Sequence, residues 1–379
     1  MAHIKRYKEI GRLFWKYGRG DFLKQMDFSE PGMVTPDKAP GDKTAPPEQL
    51  ADDLEAMGPT FIKLGQLLSS RSDLLPEPYR KSLSRLQDKV KPFAYSEVEQ
   101  IILTELGVRI SKAFSSFNPK PIAAASLGQV HFATLRNGRE VIVKVQRPDI
   151  RPRIAEDFEA LGQIAELLER HTEFGRKHRL LSVLEELRVT ILQELNYERE
   201  AQNLITLGEN LREFSKIRVP QPVPDYSTRC VLTMDYVEGQ KITALSPLAR
   251  LEINGAELAE ELFRAYLKQI LVNGVFHADP HPGNVFLTHD GAIALLDLGM
   301  VGHIMPQMQE QLLKLLLAVA DGNSEQVSDI LIQISQTTND FNRPEFCSHI
   351  GRLVSLWQNQ NLQQFNVGEA LLDMSKHAV

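Results

Sequence analysis

Three side chains with oxygen atoms, those of Asp279, Asn284 and Asp297, stand at a spacing that restricts what this chain can fold into. Asn284 lies five positions after Asp279, and Asp297 lies eighteen positions after Asp279. Apolar runs at 285–287 and 292–296 predict a hairpin that delivers Asp297 from a buried strand. Amide and carboxylate oxygens are ligands for Mg²⁺. By itself the Pro- and Gly-containing segment before Asn284 would also suit a surface loop, but Asp297 in register behind it argues against that.

This spacing resembles the catalytic loop of protein kinases, H-R-D-x-x-x-x-N, which is followed by the metal-binding D-F-G. Here His277, Asp279 and Asn284 fill the places of the loop, and Asp297 fills that of the metal-binding aspartate. In that pattern one carboxylate lies near an incoming hydroxyl, while the amide and the second carboxylate hold Mg²⁺ against the phosphates. The sequence therefore predicts Asp279 as catalytic and Asn284 and Asp297 as metal ligands.

Composition limits the class of protein. With 379 residues and 42% hydrophobic content, the chain is long enough for two or three domains with large cores. The net charge of −6 argues against nucleic acid as a partner. Cys230 and Cys347 are too few for a disulfide framework, which favours a reducing, cytoplasmic compartment. No apolar run approaches the ~20 residues of a membrane helix, and no secretory signal is expected.

The sequence of residues 1–28 predicts a basic amphipathic helix. Apolar and aromatic side chains recur at helical spacing between residues 4 and 17, and six Lys or Arg side chains occupy the other faces up to residue 19. Such a helix can lie on an anionic membrane surface. It can equally pack on the protein body with its charges in solvent, and the sequence leaves both open. Pro, Gly, Asp and Lys dominate residues 29–48, which predict a linker.

A helical extension is predicted over residues 49–117, and it carries a K-x-G-Q motif. Lys63 and Gln66 are three positions apart and therefore share one helix face. Gly65 between them costs a helix about 0.5–1 kcal/mol relative to alanine, so a close contact is expected to require it. That contact could belong to a functional site or to a simple helix crossing.

A phosphate-binding loop is predicted in front of a strand that carries Lys144. Laid over the kinase loop G-x-G-x-x-G-x-V, Gly128 and Val130 match, and alanines replace the first two glycines. Because alanine restricts φ > 0, we expect this loop to hold a nucleotide differently from a glycine loop. The residues predicted to bind the nucleotide here are Ile122, Ala123, Ala124, Ala125, Ser126, Val130 and Lys144.

An ion pair is expected between Lys144 and a glutamate of a later helix. Residues 148–192 are typical of long amphipathic helices, an insertion relative to an ordinary kinase. The next helix carries Glu200, and an ion pair with Lys144 would aim the ammonium group at the phosphates. Surface ion pairs are common and contribute little, so the role of Glu200 depends on its context.

The hinge between two lobes is predicted at the end of the strand that follows. In a kinase-like fold this segment binds adenine through its backbone, and the contacts predicted here are Met234, Asp235 and Val237. The N-lobe then covers residues 118–237, and a mostly helical C-lobe covers residues 238–379.

Together these motifs resemble the UbiB family of atypical, protein-kinase-like proteins linked to isoprenoid quinone biosynthesis. The resemblance rests on the K-x-G-Q motif, the alanine-rich loop, K-V-Q-R-P from Lys144, E-L-N-Y from Glu194, and the catalytic-loop and D-L-G motifs. It implies an α+β, two-lobed kinase-like fold whose N-terminal extension packs over the usual substrate cleft. It also implies that Lys63, Gln66 and Glu194 face the nucleotide site and that Lys63 and Gln66 take part in catalysis.

The same resemblance implies ATP and Mg²⁺ as cofactors, ATPase activity, and a cytoplasmic location peripheral to the inner (plasma) membrane. The expected partners are a membrane surface, a lipid or quinone precursor, and quinone-biosynthesis proteins. Two features depart from the family pattern. E-x-D is usual where Glu194 and Asn196 stand, which puts a role for a second carboxylate in doubt. Many members also end in a hydrophobic membrane hairpin that this sequence does not contain, so it is either truncated or depends on its N-terminal helix.

Two other functions remain open. His281 completes H-x-D-x-H-P-x-N, the loop of small-molecule phosphotransferases such as aminoglycoside and choline kinases. No segment resembles an activation segment closed by A-P-E, which disfavours a kinase acting on other proteins. The remaining alternative is a nucleotide-gated scaffold that binds lipid or partner proteins without turnover. The argument against it is that all four motif residues are intact, namely Lys144, Asp279, Asn284 and Asp297.

Overall fold

The computed structural model describes residues 2–18, 46–86, 90–246, 253–280, 282–335 and 341–358. The predicted linker lies outside these ranges except for its last three residues, and His281 lies outside them as well. The chain divides into two compact units. Unit 1 comprises Met1–Thr206, Pro220–Glu238 and Asp297–Met300, and unit 2 comprises Leu207–Val219, Gly239–Leu296 and Val301–Val379.

Unit 1 begins with helices that share one apolar cluster. They are α1 (Ala2–Gly18), α2 (Pro47–Met57), α3 (Pro59–Ser70) and α4 (Glu77–Leu83). Proline stands in the first turn of α2, α3 and α4, where its missing N–H would have no helical partner. Leu54, Phe61 and Leu83, each at most 2% exposed, lie in the cluster that these helices bury.

The apolar face of α1 packs inside unit 1. Ile10 is completely buried, and Tyr17 is 6% exposed. Arg6 forms an ion pair of 2.5 Å with Asp157, and the hydroxyl of Tyr17 donates to Asp53 at 2.7 Å. Of the two alternatives for this helix, the structure shows packing on the protein body for the apolar face.

The helices α5 (Tyr95–Leu106) and α6 (Ile110–Ala113) lead into a five-stranded antiparallel sheet. Its strands are β1 (Phe114–Phe117), β2 (Ala123–Ala124), β3 (Gly128–Leu135), β4 (Glu140–Gln146) and β6 (Val231–Asp235). The order is β1-β3-β4-β6, and β2 pairs with the beginning of β3, at Gln129 and Val130. Val141, Val143 and Val145 of β4 are completely buried and pack in one cluster with α5.

The strand β1 corrects one prediction, because helix was expected up to about residue 117. Phe114 is 2% exposed, and its ring lies 5.3 Å from that of Phe117. Aromatic side chains fit the half-buried surface of a sheet, and pairing with β3 satisfies the backbone here. Tertiary contact therefore overrides the helical pattern over these residues.

The predicted insertion is helical. It contains α7 (Ile150–His171), α8 (Glu173–His178) and α9 (Leu180–Glu194), and α10 (Tyr197–Asn210) follows it. Leu187, Ile191 and Leu195 form a buried cluster with Ile150 and with Leu127 of the alanine-rich loop. The insertion thus packs against the alanine-rich loop at Leu127.

Unit 2 contains a second and a third sheet. The strands β5 (Ile217–Arg218), β7 (Gly239–Lys241), β9 (Val285–Thr288) and β10 (Ile293–Leu295) have the order β5-β10-β9-β7. The strands β8 (Val275–His277) and β11 (Val301–His303) form an antiparallel pair. The predicted hairpin before Asp297 is present as β9 and β10, and Gly291 in its turn has a φ of 78°.

The helices of unit 2 follow the predicted helical pattern. They are α11 (Gly255–Lys268) with a π-helical turn at Gln269–Asn273, α12 (Pro306–Ala320), α13 (Ser324–Ile334) and α14 (Arg343–Gln358). The last three share a cluster around Val327 and Ile350, both completely buried. Within the part of the chain that the structure describes, none of the helices is both long enough and apolar enough to cross a membrane.

Candidate active site

Lys144 and Glu200 form a buried ion pair in unit 1. The strand β4 carries Lys144, and the first turn of α10 carries Glu200. Nζ of Lys144 lies 2.5 Å from Oε1 of Glu200, and the two side chains are 15% and 5% exposed. The structure therefore brings together the two residues that the sequence predicted to pair, in surroundings that are shielded from solvent.

The charge balance around this pair is negative. Burial raises the pKa of Glu200, and the carboxylates of Asp297 and Glu194 raise it further against the opposing effect of Lys144, to about 7. Burial opposes the charge on Lys144, but the nearby Asp297 and Glu200 more than offset this effect, so the pKa of its ammonium group is raised overall. Lys144 therefore stays charged at neutral pH, while carboxyl groups outnumber ammonium groups around it.

Asp297 begins the D-L-G turn. Its Oδ1 accepts a hydrogen bond from the backbone N–H of Gly299 at 3.1 Å. Leu298 is completely buried, and its carbonyl oxygen accepts from the amide of Asn203 on α10 at 2.8 Å. The helix that carries Glu200 is thereby tied to the turn that carries Asp297.

Lys63 of the K-x-G-Q motif joins this cluster through Glu194. Nζ of Lys63 lies 2.7 Å from Oε2 of Glu194, and the side chains are 14% and 21% exposed. Glu194 in turn contributes to the raised pKa of Glu200. Lys63 and Glu194, which the family resemblance placed at one site, are therefore in direct contact although they are far apart in the sequence.

Gly65 of the motif lies against leucine side chains, and Gln66 forms a hydrogen bond. A Cβ atom on Gly65 would lie 2.3 Å from Cδ1 of Leu86 and 3.0 Å from Cδ1 of Leu54. A larger residue at Gly65 would therefore displace leucine side chains of the apolar cluster, which agrees with the simpler of the two explanations, a helix crossing. The side-chain amide of Gln66 donates to the carbonyl oxygen of Leu86 at 3.4 Å.

Asn196, the departure from E-x-D, caps the helix that carries Glu200. Its Oδ1 accepts from the backbone N–H of Arg199 at 3.2 Å, and its carbonyl oxygen accepts from the N–H of Glu200 at 3.0 Å. Asparagine and aspartate are both favoured at the N-cap of a helix. The departure thus removes a negative charge from the turn but keeps the cap.

The alanine-rich loop is a tight hairpin between β2 and β3. Ala123 pairs with Val130, and Ala124 pairs with Gln129. The N–H of Ala125 donates to the carbonyl oxygen of Gly128 at 2.8 Å. Before the hairpin Ile122 is 54% exposed, and within the hairpin Ser126 is 1% exposed.

The backbone of this hairpin does not use the φ > 0 conformations that alanine disfavours. All residues from 122 to 130 are described, and none of them has a positive φ. Alanine adopts such backbone conformations without strain. Gly128 is needed for a different reason, because a Cβ atom there would lie 2.6 Å from the carbonyl oxygen of Val145 and 2.8 Å from the hydroxyl of Tyr197.

Tyr197 is a member of the cluster to which the sequence assigned no role. Its side chain is buried, and burial raises the pKa of its hydroxyl well above the usual range despite the nearby charge of Lys144. The hydroxyl therefore stays protonated, next to the hairpin residue Gly128. Its position within the E-L-N-Y motif was the signal that could have identified it.

The predicted hinge follows β6. Met234 is completely buried, and Asp235 forms an ion pair of 2.6 Å with Arg139. The backbone N–H groups of Asp235 and Tyr236 donate to main-chain carbonyl oxygens at 3.0 and 3.2 Å. Because those two donors are engaged, Val237 is the candidate for a backbone N–H that binds adenine.

Asp279 and Asn284 belong to unit 2, and Asn284 is the last residue of a 3₁₀ turn at Pro282–Asn284. Asp279 is exposed. The carbonyl oxygen of Asn284 accepts from the N–H of Leu296 at 3.0 Å, at the base of the hairpin of β9 and β10. Leu296 is the residue directly before Asp297 in the chain.

Tyr266 of α11 is a partly buried neighbour of Asp279, and its hydroxyl oxygen is buried. Within the described residues its hydroxyl has no hydrogen-bond partner. Burial and the negative charge of Asp279 raise the pKa of this hydroxyl above its usual range. The group therefore stays protonated and can donate a hydrogen bond to an oxygen atom near Asp279.

The side chains around Lys144 in unit 1 fit a nucleotide with a magnesium ion. Asp297 offers carboxylate oxygens there, and a cation would relieve the negative charge that raises the pKa of Glu200. No group of three or more His, Cys, Asp or Glu residues arranged to hold a metal occurs among the described residues. One or two protein ligands, with phosphate and water completing the shell, is the usual arrangement for Mg²⁺.

A family model matches the segment that carries most of these motifs. The ABC1 atypical kinase-like domain matches residues 85–331, about two thirds of the chain. The chain belongs to the ABC1 atypical kinase-like family. The resemblance to UbiB that the motifs predicted is thereby confirmed, as is the kinase-like α+β fold.

Relatives within the ABC1 family extend the match over most of the chain. Protein ACTIVITY OF BC1 COMPLEX KINASE 7, chloroplastic, from Arabidopsis thaliana is 38% identical over 349 residues, 91% of this chain and 50% of that protein. Probable protein kinase UbiB from Marinobacter nauticus is 33% identical over 387 residues, 100% of this chain and 71% of that protein. The chain therefore spans about half the length of the first relative and more of the second.

A solved structure shares the fold of this ABC1-family chain. It is the complex of Rv3197 with erythromycin from Mycobacterium tuberculosis, with a TM-score of 0.53 and 25% sequence identity. The match covers 87% of this chain and 83% of that one. It therefore extends through both units of the chain, beyond the residues that the family model covers.

Proposed function

We propose that this chain binds Mg²⁺-ATP and either hydrolyses it or transfers its γ-phosphate to a non-protein acceptor. The observation that carries the proposal is the buried pair of Lys144 and Glu200 with Asp297 close enough to affect the pKa of both. In kinases a glutamate of this kind fixes the lysine that binds the α- and β-phosphates. A pair that served only stability would not require a third charged group beside it.

The residues of the site divide the work as follows. Lys144 donates to phosphate oxygens, and Glu200 keeps its ammonium group in place. Asn284 and Asp297 are the proposed ligands of Mg²⁺, which when bound supplies positive charge to the phosphates. Asp279 accepts the proton of an incoming hydroxyl or water.

The adenine and the phosphates are assigned to unit 1. In this proposal Val237 and the neighbouring hinge residues contact the base, and the hairpin of β2 and β3 covers the phosphates. Tyr197 lies against that hairpin at Gly128, where a larger residue has no room. The hairpin is therefore held close to Lys144 before any nucleotide arrives.

We further propose that this activity supports the handling of isoprenoid quinone or lipid precursors at a membrane, with the protein cytoplasmic and peripheral to the inner membrane. A relative named as a probable UbiB kinase supports the choice of pathway. Lys8 and Arg12 of α1 are exposed, which supports electrostatic contact with anionic lipid. Because Ile10 is buried, that contact would use the charges of α1 and not its apolar face.

Thermal stability in the presence of Mg²⁺-ATP tests the nucleotide site. A ligand at about 100 times its dissociation constant adds about 2.7 kcal/mol to the free energy of unfolding. The Asp297→Asn variant should lose most of this stabilisation. Asp290→Asn is the matched control, since Asp290 is an exposed carboxylate in the turn of the hairpin that precedes Asp297. Equal stabilisation of parent and Asp297→Asn would refute the metal assignment.

Steady-state release of phosphate separates the proposal from its two alternatives. Release without any acceptor indicates an ATPase. Release or transfer that depends on an added small hydroxyl compound indicates a small-molecule phosphotransferase. Binding of Mg²⁺-ATP without either outcome indicates a nucleotide-gated scaffold and would refute turnover.

A further inference from the structure

Three successive carbonyl groups of the alanine-rich hairpin point at one residue, Arg147. Its Nε donates to the carbonyl oxygen of Ser126 at 3.3 Å, and its Nη2 reaches that of Ala125 at 3.5 Å. Its backbone N–H donates to the carbonyl oxygen of Leu127 at 2.9 Å. Arg147 stands three positions after Lys144, directly after β4.

The direction of these carbonyl groups determines the direction of the amide groups between them. The chain contains no cis peptide bond among its described residues. In a trans peptide the C=O of one residue and the N–H of the next point in opposite directions. The N–H groups of Ser126, Leu127 and Gly128 therefore face away from Arg147. Successive amide groups that share one direction form an anion-binding surface.

The same guanidinium group also contacts the extension that precedes the sheet. Its Nη2 donates to the carbonyl oxygen of Lys91 at 3.1 Å, and the group lies 5.4 Å from the centre of the Phe93 ring. The N–H of Phe93 is held in turn by the side chain of Gln129 at 3.0 Å. Arg147 is therefore fixed from a second side. A planar guanidinium can serve several acceptors at once, which a lysine ammonium in the same place cannot do with the same geometry.

We propose that Arg147 is a positioning residue that holds the amide groups of the alanine-rich hairpin toward the phosphates of a bound nucleotide. In other kinases the conformational freedom of glycine lets the amide groups of this loop turn toward the phosphates. Here Arg147 binds the carbonyl groups of the same peptide units and so fixes the direction of their amide groups. This inference rests on the proposed nucleotide site, and it assigns Arg147 no contact with the nucleotide itself.

Hydrogen–deuterium exchange without nucleotide tests the positioning directly. Arg147→Ala should exchange the amides of Ile122 and Ala125, which donate to the carbonyl oxygens of Val130 and Gly128, at least about tenfold faster. Hydrogen bonds from a charged group are among the stronger ones in proteins, so their loss should loosen this hairpin. Arg147→Lys should restore only part of the protection. Arg136→Ala is the matched control, since Arg136 also donates to two successive carbonyl groups, those of Ser111 and Lys112, at another site on the sheet. An unchanged exchange rate in Arg147→Ala overturns the inference.

Titration with Mg²⁺-ATP tests the consequence for binding. We expect the affinity of Arg147→Ala to fall about tenfold and that of Arg136→Ala to stay within twofold of the parent. If the parent binds Mg²⁺-ATP and Arg147→Ala binds it equally well, the inference fails and the proposed function stands. If the parent itself does not bind Mg²⁺-ATP, the proposed function fails, and the role assigned to Arg147 in phosphate binding falls with it.

Discussion

The buried carboxyl group of Glu200 should make the protein less stable as the pH rises toward neutrality. Its pKa is raised from 4.5 to about 7, first by burial and then by the charges of Asp297 and Glu194 against that of Lys144. Between these two pH values the folded state holds a proton that the unfolded state has released. The free energy of unfolding therefore falls as the pH rises through this window, in contrast to an acid whose pKa is lowered by folding.

The difference between the two pKa values corresponds to about 3 kcal/mol. The side chain of Glu200 is 5% exposed, so solvent screening reduces this figure little. A change of this size is a substantial part of the stability of an ordinary domain. In the Glu200→Gln variant the titrating group is absent, and the corresponding loss of stability should be absent as well.

Urea unfolding of the parent and Glu200→Gln between about pH 5 and about pH 8 measures this effect. The free energy of unfolding of the parent, minus that of the variant, should decrease by most of about 3 kcal/mol across this range. Glu185→Gln is the matched control, because Glu185 is an exposed carboxylate paired with Arg188 on α9. A parent-minus-variant difference that stays constant with pH would show that Glu200 is ionised throughout and would refute the electrostatic reasoning.

Three further predictions follow from particular contacts. Lys63→Ala removes one positive charge beside Glu194, which makes the site more negative. The Mg²⁺ concentration needed for half-maximal ATP binding should therefore fall at least about twofold. An unchanged Mg²⁺ concentration would exclude Lys63 from the site. Lys8→Glu combined with Arg12→Glu should weaken co-sedimentation with anionic liposomes and its salt dependence, and equal binding would remove α1 as the contact. Gly128→Ala forces a Cβ atom against a backbone oxygen and should lower the free energy of unfolding in urea by about 1–3 kcal/mol.

The strands and loops that carry the proposed site residues could be predicted, because the motifs set their spacing. Lys144 lies on a strand after a loop, and Asp297 follows a buried hairpin strand, as the motif required. Their environment could not be predicted in the same way. The pKa of Glu200 is raised mainly by burial and also by Asp297 and Glu194, and Glu194 is paired with Lys63 of a helix more than a hundred residues earlier.

The helix α1 shows a second limit of the sequence. An apolar stripe at helical spacing indicates that one face will be buried, but it does not identify what covers that face. A membrane surface and a protein core remove the same side chains from water. The ion pair of Arg6 with Asp157 distinguishes them, because it places a basic residue of α1 against a completely buried carboxylate of α7. No pattern within residues 1–28 contains that information.

The alanine-rich hairpin shows how a different sequence can meet the same requirement as a glycine loop. Glycine reaches φ > 0 and lets a loop close onto phosphates, but its freedom must be given up on ordering, at about 0.5–1 kcal/mol per residue relative to alanine. Here extended pairing of Ala123 and Ala124 with β3 removes that freedom in advance, and Arg147 sets the direction of the amides. A preorganised loop loses less entropy when a ligand binds. The same rigidity prevents the hairpin from closing over phosphates as far as a glycine loop can. We therefore expect the hairpin to bind a nucleotide without a large closing movement.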